Sequence, residues 1–193
     1  MLEGLPVVQS ARQCVVAYSG GLDSHVLLHL CRAVGLPVRA VHIHHGLQAQ
    51  ADDWDAHCQA VCAELAIPYV CIAIDAHPQR GQSPEDAARN ARYLALEDAL
   101  QDGEALLTAH HQQDQAETLM LQLMRGAGPA GLAAMPMLKS FAGGCHCRPL
   151  LGFSRERLWR YARVHKLVWV DDPSNADTLS LIHISEPTRP ELV

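Results

Sequence analysis

CVVAYSGGLDSHVLLHL, residues 14–30, decides how the rest of the chain is read. Cys14 to Tyr18 has strand character, Ser19-Gly20-Gly21 interrupts it, and a helical pattern starts near Asp23. A strand that empties through paired glycines onto a helix start makes a phosphate cradle. The glycines let backbone N–H groups turn toward one point, and the helix N-terminus adds partial positive charge. Ser24 can donate a further hydrogen bond, while Asp23 has the wrong sign for phosphate and points to work through a metal ion. The G-x-x-x-x-G-K-[ST] loop is absent and no lysine precedes Lys139, so no local ammonium grips a terminal phosphate. A βα turn whose glycines serve geometry alone is the competing reading.

The bulk numbers fit one α/β domain with a proper core: 193 residues, 49% hydrophobic and 19% charged. The formal net charge of −6 is unusual for a nucleic-acid binder. An RNA partner would therefore require segregated basic residues or a grip elsewhere. Seven cysteines at irregular spacing argue for a reducing compartment. The first dozen residues lack a signal-peptide pattern and no apolar run reaches membrane-spanning length, so the expectation is a soluble, cytoplasmic protein with no membrane partner.

Outward from the opening stretch, Ser24 to Val34 reads as an amphipathic helix and Val38 to Ile43 as a second buried strand. That strand runs out through His42, Ile43, His44 and His45. Alternation puts His42 and His44 on one face and His45 opposite, which favours polar groups lining a ligand crevice over a zinc site. Asp52 to Ala66 is a helix with Cys58 and Cys62 as small core residues, and Tyr69 to Ile74 is a third strand. Ser83 as N-cap and Pro84 at the first position open a helix to about Gln101, which carries Arg89 and Arg92 nearly one turn apart. Ala105 to Ala109 is a fourth strand and delivers TAHHQQDQAETLMLQLMRGAGPAGL, residues 108–132. Asp114 and Glu117 lie three apart on that helix start. They suit Mg²⁺ or an ammonium group, or serve simply as N-terminal helix carboxylates.

Cys145-His146-Cys147 is a weak metal pattern without a second ligand pair. A helix from about Ser154 to His165 and a strand Leu167 to Val170 close the reading. The helix holds Arg155, Arg157, Arg160 and Arg163, the concentrated basic patch of the chain, suited to phosphate-backbone contact or to plain solvation. The expected architecture is a Rossmann-like (HUP-type) α/β fold, a parallel sheet of about five strands with helices on both faces.

SGGLDS (19–24) is the signature of the PP-loop ATP pyrophosphatase superfamily, which the chain resembles. VHIHHGL (41–47), TAHHQQDQAET (108–118), RGAGPAGL (125–132), RPLL (148–151) and WVDDPSNAD (169–177) follow in order. Together they resemble the tRNA(Ile)-lysidine synthases from Gln13 to about Thr178. The resemblance implies ATP and Mg²⁺ as cofactors, with L-lysine and an isoleucine tRNA bearing a CAU anticodon as partners. It implies adenylation of the wobble cytidine with loss of pyrophosphate, then displacement of AMP by the lysine side-chain amine. Ser19, Gly20, Gly21, Leu22 and Ser24 would then hold pyrophosphate, and Asp23 would organise Mg²⁺. Val41 to Ile43, His42 included, would line the adenine pocket. Asp114 and Glu117 would recognise lysine, and Arg92 or Arg89 would hold the adenylate or the lysine carboxylate.

Two departures qualify the match. Gln113 stands where the family commonly has an aspartate, which bears on Mg²⁺ affinity. After residue 178 the family's arginine-rich continuation toward tRNA-binding domains is replaced by LSLIHISEPTRPELV. That stretch lacks helical periodicity and reads as a non-native or divergent tail. The expected division is a catalytic domain at 1–178 and this tail at 179–193, with the tRNA-binding domains absent. Two alternatives stay open. One is a tRNA-thiolating relative, which iron and sulfide assays would reveal. The other is an ATP-binding fragment without turnover, which would release no pyrophosphate in response to lysine and tRNA.

Overall fold

A computed structural model describes residues 8, 10–44, 51–75, 83–128 and 131–170. Its strands are β1 (Gln13–Ala17), β2 (Val38–His44), β3 (Tyr69–Ala73), β4 (Glu104–Leu107), β5 (Leu138–Phe141) and β6 (Gly144–Cys147). The helices are α1 (Leu22–Ala33), α2 (Ala51–Glu64), α3 (Pro84–Ala99), α4 (Gln112–Met124) and α5 (Arg155–Val164), with a 3₁₀ turn at Gly131–Ala133. One sheet runs in the order β3-β2-β1-β4-β6-β5, parallel except for the β5/β6 hairpin.

Strand alternation divides the interior in two. Cys14, Val16, Ala40, Leu107 and Cys147 face a core closed by Leu27 and Cys31 of α1, Cys58 and Cys62 of α2 and Leu158 of α5. Val15, Val41, Ile43 and Leu106 face the other way, onto Leu96 of α3. Both faces of the central strands are therefore covered, as parallel strands require. A fully buried leucine such as Leu27 or Leu107 stabilises the fold by roughly 1.5–3 kcal/mol. The helix starts are local matters: the side chain of Ser83 accepts from the Asp86 N–H, and that of Ser154 from the Arg157 N–H.

Travel from β1 goes to β2 and β3 on one side, then returns to β4 and β6 on the other. The carboxyl ends of β1 and β4 thus flank the topological switch point, where a crevice opens in such sheets. At the opposite end a buried ion pair ties β2 to β4. Arg39 Nε donates to Glu104 Oε1 at 3.0 Å and Nη2 to Oε2 at 2.7 Å, and Nη2 also reaches the Ala99 carbonyl.

Two sequence expectations change. Leu167 to Val170 is not a strand; it ends beside the β1–α1 loop, where the Val170 N–H donates to the Gly20 carbonyl at 3.0 Å. The additional strands come instead from 138–147, so Cys145-His146-Cys147 is β6 and not a metal hook. Both ring nitrogens of His146 already have partners, Thr108 and Arg148, which leaves no lone pair for a ligand bond. The β5/β6 turn has positive φ at Ala142 (48°) and Gly143 (71°), the pattern of a two-residue hairpin turn. At Gly144 a side chain would overlap the Glu104 carbonyl, so β6 approaches β4 only as glycine. His45, the loop around Pro78, and everything from Asp171 onward, the tail 179–193 included, lie outside the described residues.

Candidate active site

β1 ends at Ala17, the Tyr18 N–H bonds the Val41 carbonyl, and the chain then turns at Gly20 with φ +83°. An L side chain is strained there, and a Cβ would stand 2.8 Å from Cys58 Sγ. Gly21 is the N-cap of α1 and supplies no side-chain cap, so the first N–H groups of α1 (Leu22, Asp23, Ser24) have no helix partner. Ser24 Oγ–H donates to the Gly21 carbonyl at 3.0 Å, which leaves Ser24 Oγ to accept from the Ser19 N–H (3.2 Å) and the Ser19 hydroxyl (3.0 Å). The two serines therefore brace the loop internally, and the donors it offers are backbone N–H groups. Leu22 contributes its N–H while its side chain is buried in the core.

Asp23 points from this loop toward the end of β4. Its Oδ2 lies 3.5 Å from Nε2 of His111, whose Nδ1 lies 3.2 Å from Oδ2 of Asp114. The same Asp114 oxygen accepts the His111 N–H at 2.7 Å, so the aspartate also caps α4. Burial alone would lower the pKa of His111, but the hydrogen bond it donates to Asp23 and the charges of Asp114 and Asp23 outweigh it and hold it above its ordinary value. Asp23 Oδ1 is buried without a hydrogen-bond partner, an acceptor that suits a cation. Among the described residues no group of three His, Cys, Asp or Glu side chains could hold a metal alone. A magnesium ion at Asp23 would thus take its other oxygens from phosphate and water.

Glu117 follows Asp114 by three residues on α4 and is exposed. α4 buries no residue, and Met120, Leu121, Leu123 and Met124 are exposed along it. On α3, the guanidinium carbons of Arg89 and Arg92 lie 5.5 and 5.8 Å from the Tyr93 ring, with Lys139 Nζ at 5.9 Å. Arg89 is exposed, whereas burial, with Arg89 adding, lowers Arg92 below the usual arginine value. Among the described residues Arg92 forms no ion pair with a carboxylate. His42 is buried beneath the loop, where its Nδ1–H donates to the Tyr18 carbonyl at 2.9 Å and its ring stacks on Tyr69. Ile43 belongs to the core under α3. Sequence reasoning missed His111 as the connector of the two acidic motifs. The signal was present, since the second of two adjacent histidines stands at the N-cap of α4.

Comparison with known proteins follows the same outline. The PP-loop domain family matches residues 2–180. The tRNA(Ile)-lysidine synthase of Pseudomonas aeruginosa is 53% identical over 186 residues, 92% of this chain and 41% of that protein. That of Alkalilimnicola ehrlichii is 53% identical over 176 residues, 89% of this chain and 40% of that protein. The chain thus spans about 40% of the length of these curated relatives. Among solved structures, the U34-tRNA thiolase NcsA of Methanococcus maripaludis superposes with a TM-score of 0.69 at 18% identity, over 94% of this chain and 70% of that one. The NMN synthetase of Francisella tularensis gives 0.58 at 18%, over 83% and 64%. At these identities the likeness is one of fold. A loop of backbone donors at the end of β1, facing an acidic helix start at the end of β4, lies within the residues that the family match covers. This chain belongs to the PP-loop domain family.

Proposed function

We propose that the chain carries out the ATP-dependent chemistry of a tRNA(Ile)-lysidine synthase in the cytoplasm. ATP adenylates the wobble cytidine of a CAU-anticodon isoleucine tRNA at C2, pyrophosphate leaves, and the ε-amine of L-lysine displaces AMP. The observation that carries the reading is the Asp23–His111–Asp114 bridge, which joins the phosphate side of the crevice to its acidic side. The 53% identity to two lysidine synthases over nearly all of this chain supports it.

In this reading the unpartnered N–H groups of Leu22, Asp23 and Ser24 face the departing pyrophosphate, where preorganised donors stabilise developing charge. Asp23 holds Mg²⁺, whose role when bound is to neutralise the phosphates. Asp114 and Glu117 attract the lysine ammonium with negative charge and without a competing nucleophile. Arg92, the more buried arginine of α3, takes the lysine carboxylate or the adenylate, with Arg89 at the rim. His42 supports the loop by holding the Tyr18 carbonyl.

The test is calorimetric titration of the chain with ATP·Mg²⁺ and with L-lysine, followed by nucleoside analysis of a CAU-anticodon isoleucine tRNA after incubation with both. Binding of both small molecules, and lysidine formed with one AMP each, is the expected result. Failure to bind either ATP or lysine overturns the assignment, as does AMP release that needs no tRNA.

A further inference from the structure

Behind the crevice lies a buried polar chain that the proposed reaction does not use. Arg148 follows β6, His146 lies within it at 0% exposure, and Thr108 and His110 follow β4. Arg148 Nη2 lies 3.3 Å from His146 Nδ1, His146 Nε2 lies 2.8 Å from Thr108 Oγ1, and Thr108 Oγ1 lies 2.8 Å from His110 Nδ1. The far guanidinium nitrogen, Nη1, is anchored on the Pro136 carbonyl at 2.8 Å. The rings of Tyr93 and Phe141, each 5.9 Å from that of His146, wall the chain off from water.

The bond directions in this chain follow from two facts: a guanidinium donates and cannot accept, and a buried hydroxyl proton needs an acceptor. His146 Nδ1 must therefore be the lone-pair nitrogen, so its single proton sits on Nε2 and is donated to Thr108 Oγ1. The threonine hydroxyl proton is then left for His110 Nδ1, which accepts it. His110 consequently carries its own proton on Nε2. The alternative, Thr108 accepting from both rings, would leave its buried hydroxyl proton with no acceptor among the described residues. Burial and the neighbouring Arg148 push His146 and His110 down to about 3, so both rings are neutral at physiological pH, as the bookkeeping requires.

We infer that Arg148, His146 and Thr108 are positioning residues that lock His110 as the neutral Nε2–H tautomer, making it a fixed hydrogen-bond donor to an oxygen of a bound anion in the crevice. His110 is only half-buried and sits beside His111, and the charges of Arg92 and Arg89 act on it. That setting suits a phosphoryl or carboxylate oxygen. A neutral donor adds direction there without adding charge to an already cationic cluster. The tautomer assignment holds whatever reaction the crevice performs.

The test begins with the unaltered chain. Long-range ¹H–¹⁵N spectra of histidine-labelled protein at neutral pH should show His146 and His110 both protonated at Nε2 and bare at Nδ1. Protonation of either at Nδ1 overturns the inference. Thr108→Val then removes the hydroxyl while keeping the shape, and Thr108→Ser keeps the hydroxyl. Titration with ATP and, separately, with L-lysine identifies the anion. Thr108→Val should weaken one of the two by about five- to tenfold, the worth of one positioned hydrogen bond, with Thr108→Ser restoring it. Unchanged affinity for both in a folded Thr108→Val protein would remove His110 as a donor.

Discussion

Gly20→Ala tests whether the loop conformation or its contact with α2 excludes a side chain. Two terms oppose alanine. At φ +83° an L residue is strained by about 1–2 kcal/mol, and a Cβ 2.8 Å from Cys58 Sγ adds about 1–3 kcal/mol of overpacking. Stiffening the unfolded chain returns about 0.4–1 kcal/mol, so the net loss is about 1–4.5 kcal/mol. Among the described residues the sulfur is the only close atom: Val170 Cγ2 and His57 Cδ2, at 3.8 and 4.0 Å, are ordinary contacts. Cys58→Ala should therefore remove the overpacking term and leave the strain. Urea unfolding of the wild type, both single variants and the double variant measures this as a coupling of about 1–3 kcal/mol in favour of the double variant. Additivity within about 0.5 kcal/mol would refute the contact and leave backbone strain as the whole cost.

Glu104→Gln removes one partner of a buried pair whose acid side chain is 3% exposed, and unfolding experiments should show a loss of about 3–5 kcal/mol. The combined replacement Arg39→Met with Glu104→Leu should be far milder, because no charge is left unpaired. Asp23→Asn should weaken ATP by about tenfold or more in Mg²⁺, as loss of even an outer partner of a bound metal does. It should leave ATP affinity in EDTA unchanged or improved; equal losses in both buffers would dismiss the metal role. His25, held at about 4, and His110 and His146, held at about 3, are depressed by burial, so the unfolded chain binds protons there that the native chain refuses. Their stabilisation is complete above about pH 6.5 and declines toward pH 4, by up to about 1.4 kcal/mol per pH unit for each histidine. A urea midpoint that does not fall between pH 6.5 and 4.5 would contradict their burial as neutral rings.

What could be read from residues alone was local. The glycine pair after an apolar strand placed the β1 loop, and Ser83-Pro84 and Ser154 marked helix starts, because capping involves only neighbouring groups. The β5/β6 hairpin was hidden because its turn residues, Ala142-Gly143, lack the usual asparagine or aspartate and its strands are only four residues long. The same shortness hid Cys145-His146-Cys147 as a strand, so that it read only as a weak metal pattern. Leu167 to Val170 misled in the opposite way. Its apolar, β-branched composition suits a strand, but sheet pairing is settled by which neighbours are available, and this segment pairs with a loop. Glu104 is a further case: a carboxylate at a strand start reads as solvated until Arg39, 65 residues away, is brought against it.

The chain's net charge of −6 says little about its site, because the crevice sorts charge by side. The arginines near His110 make one wall cationic, while Asp23 at the start of α1 and Asp114 at the start of α4 set two carboxylates about His111. Two carboxylates on either side of one imidazole would repel by a few kcal/mol at an effective dielectric of about 20. His111 lies between them, 3.5 Å from one and 3.2 Å from the other, and their combined field raises its proton affinity against its own burial. An imidazole shared in this way lets two acids with different tasks stand together, one at the phosphates and one at the helix start. Neither the loop nor the α4 carboxylates require this arrangement by themselves. It follows from bringing the ends of β1 and β4 side by side at the switch point of the sheet. The fold therefore contributes to the chemistry by placing the two motifs within reach of one histidine.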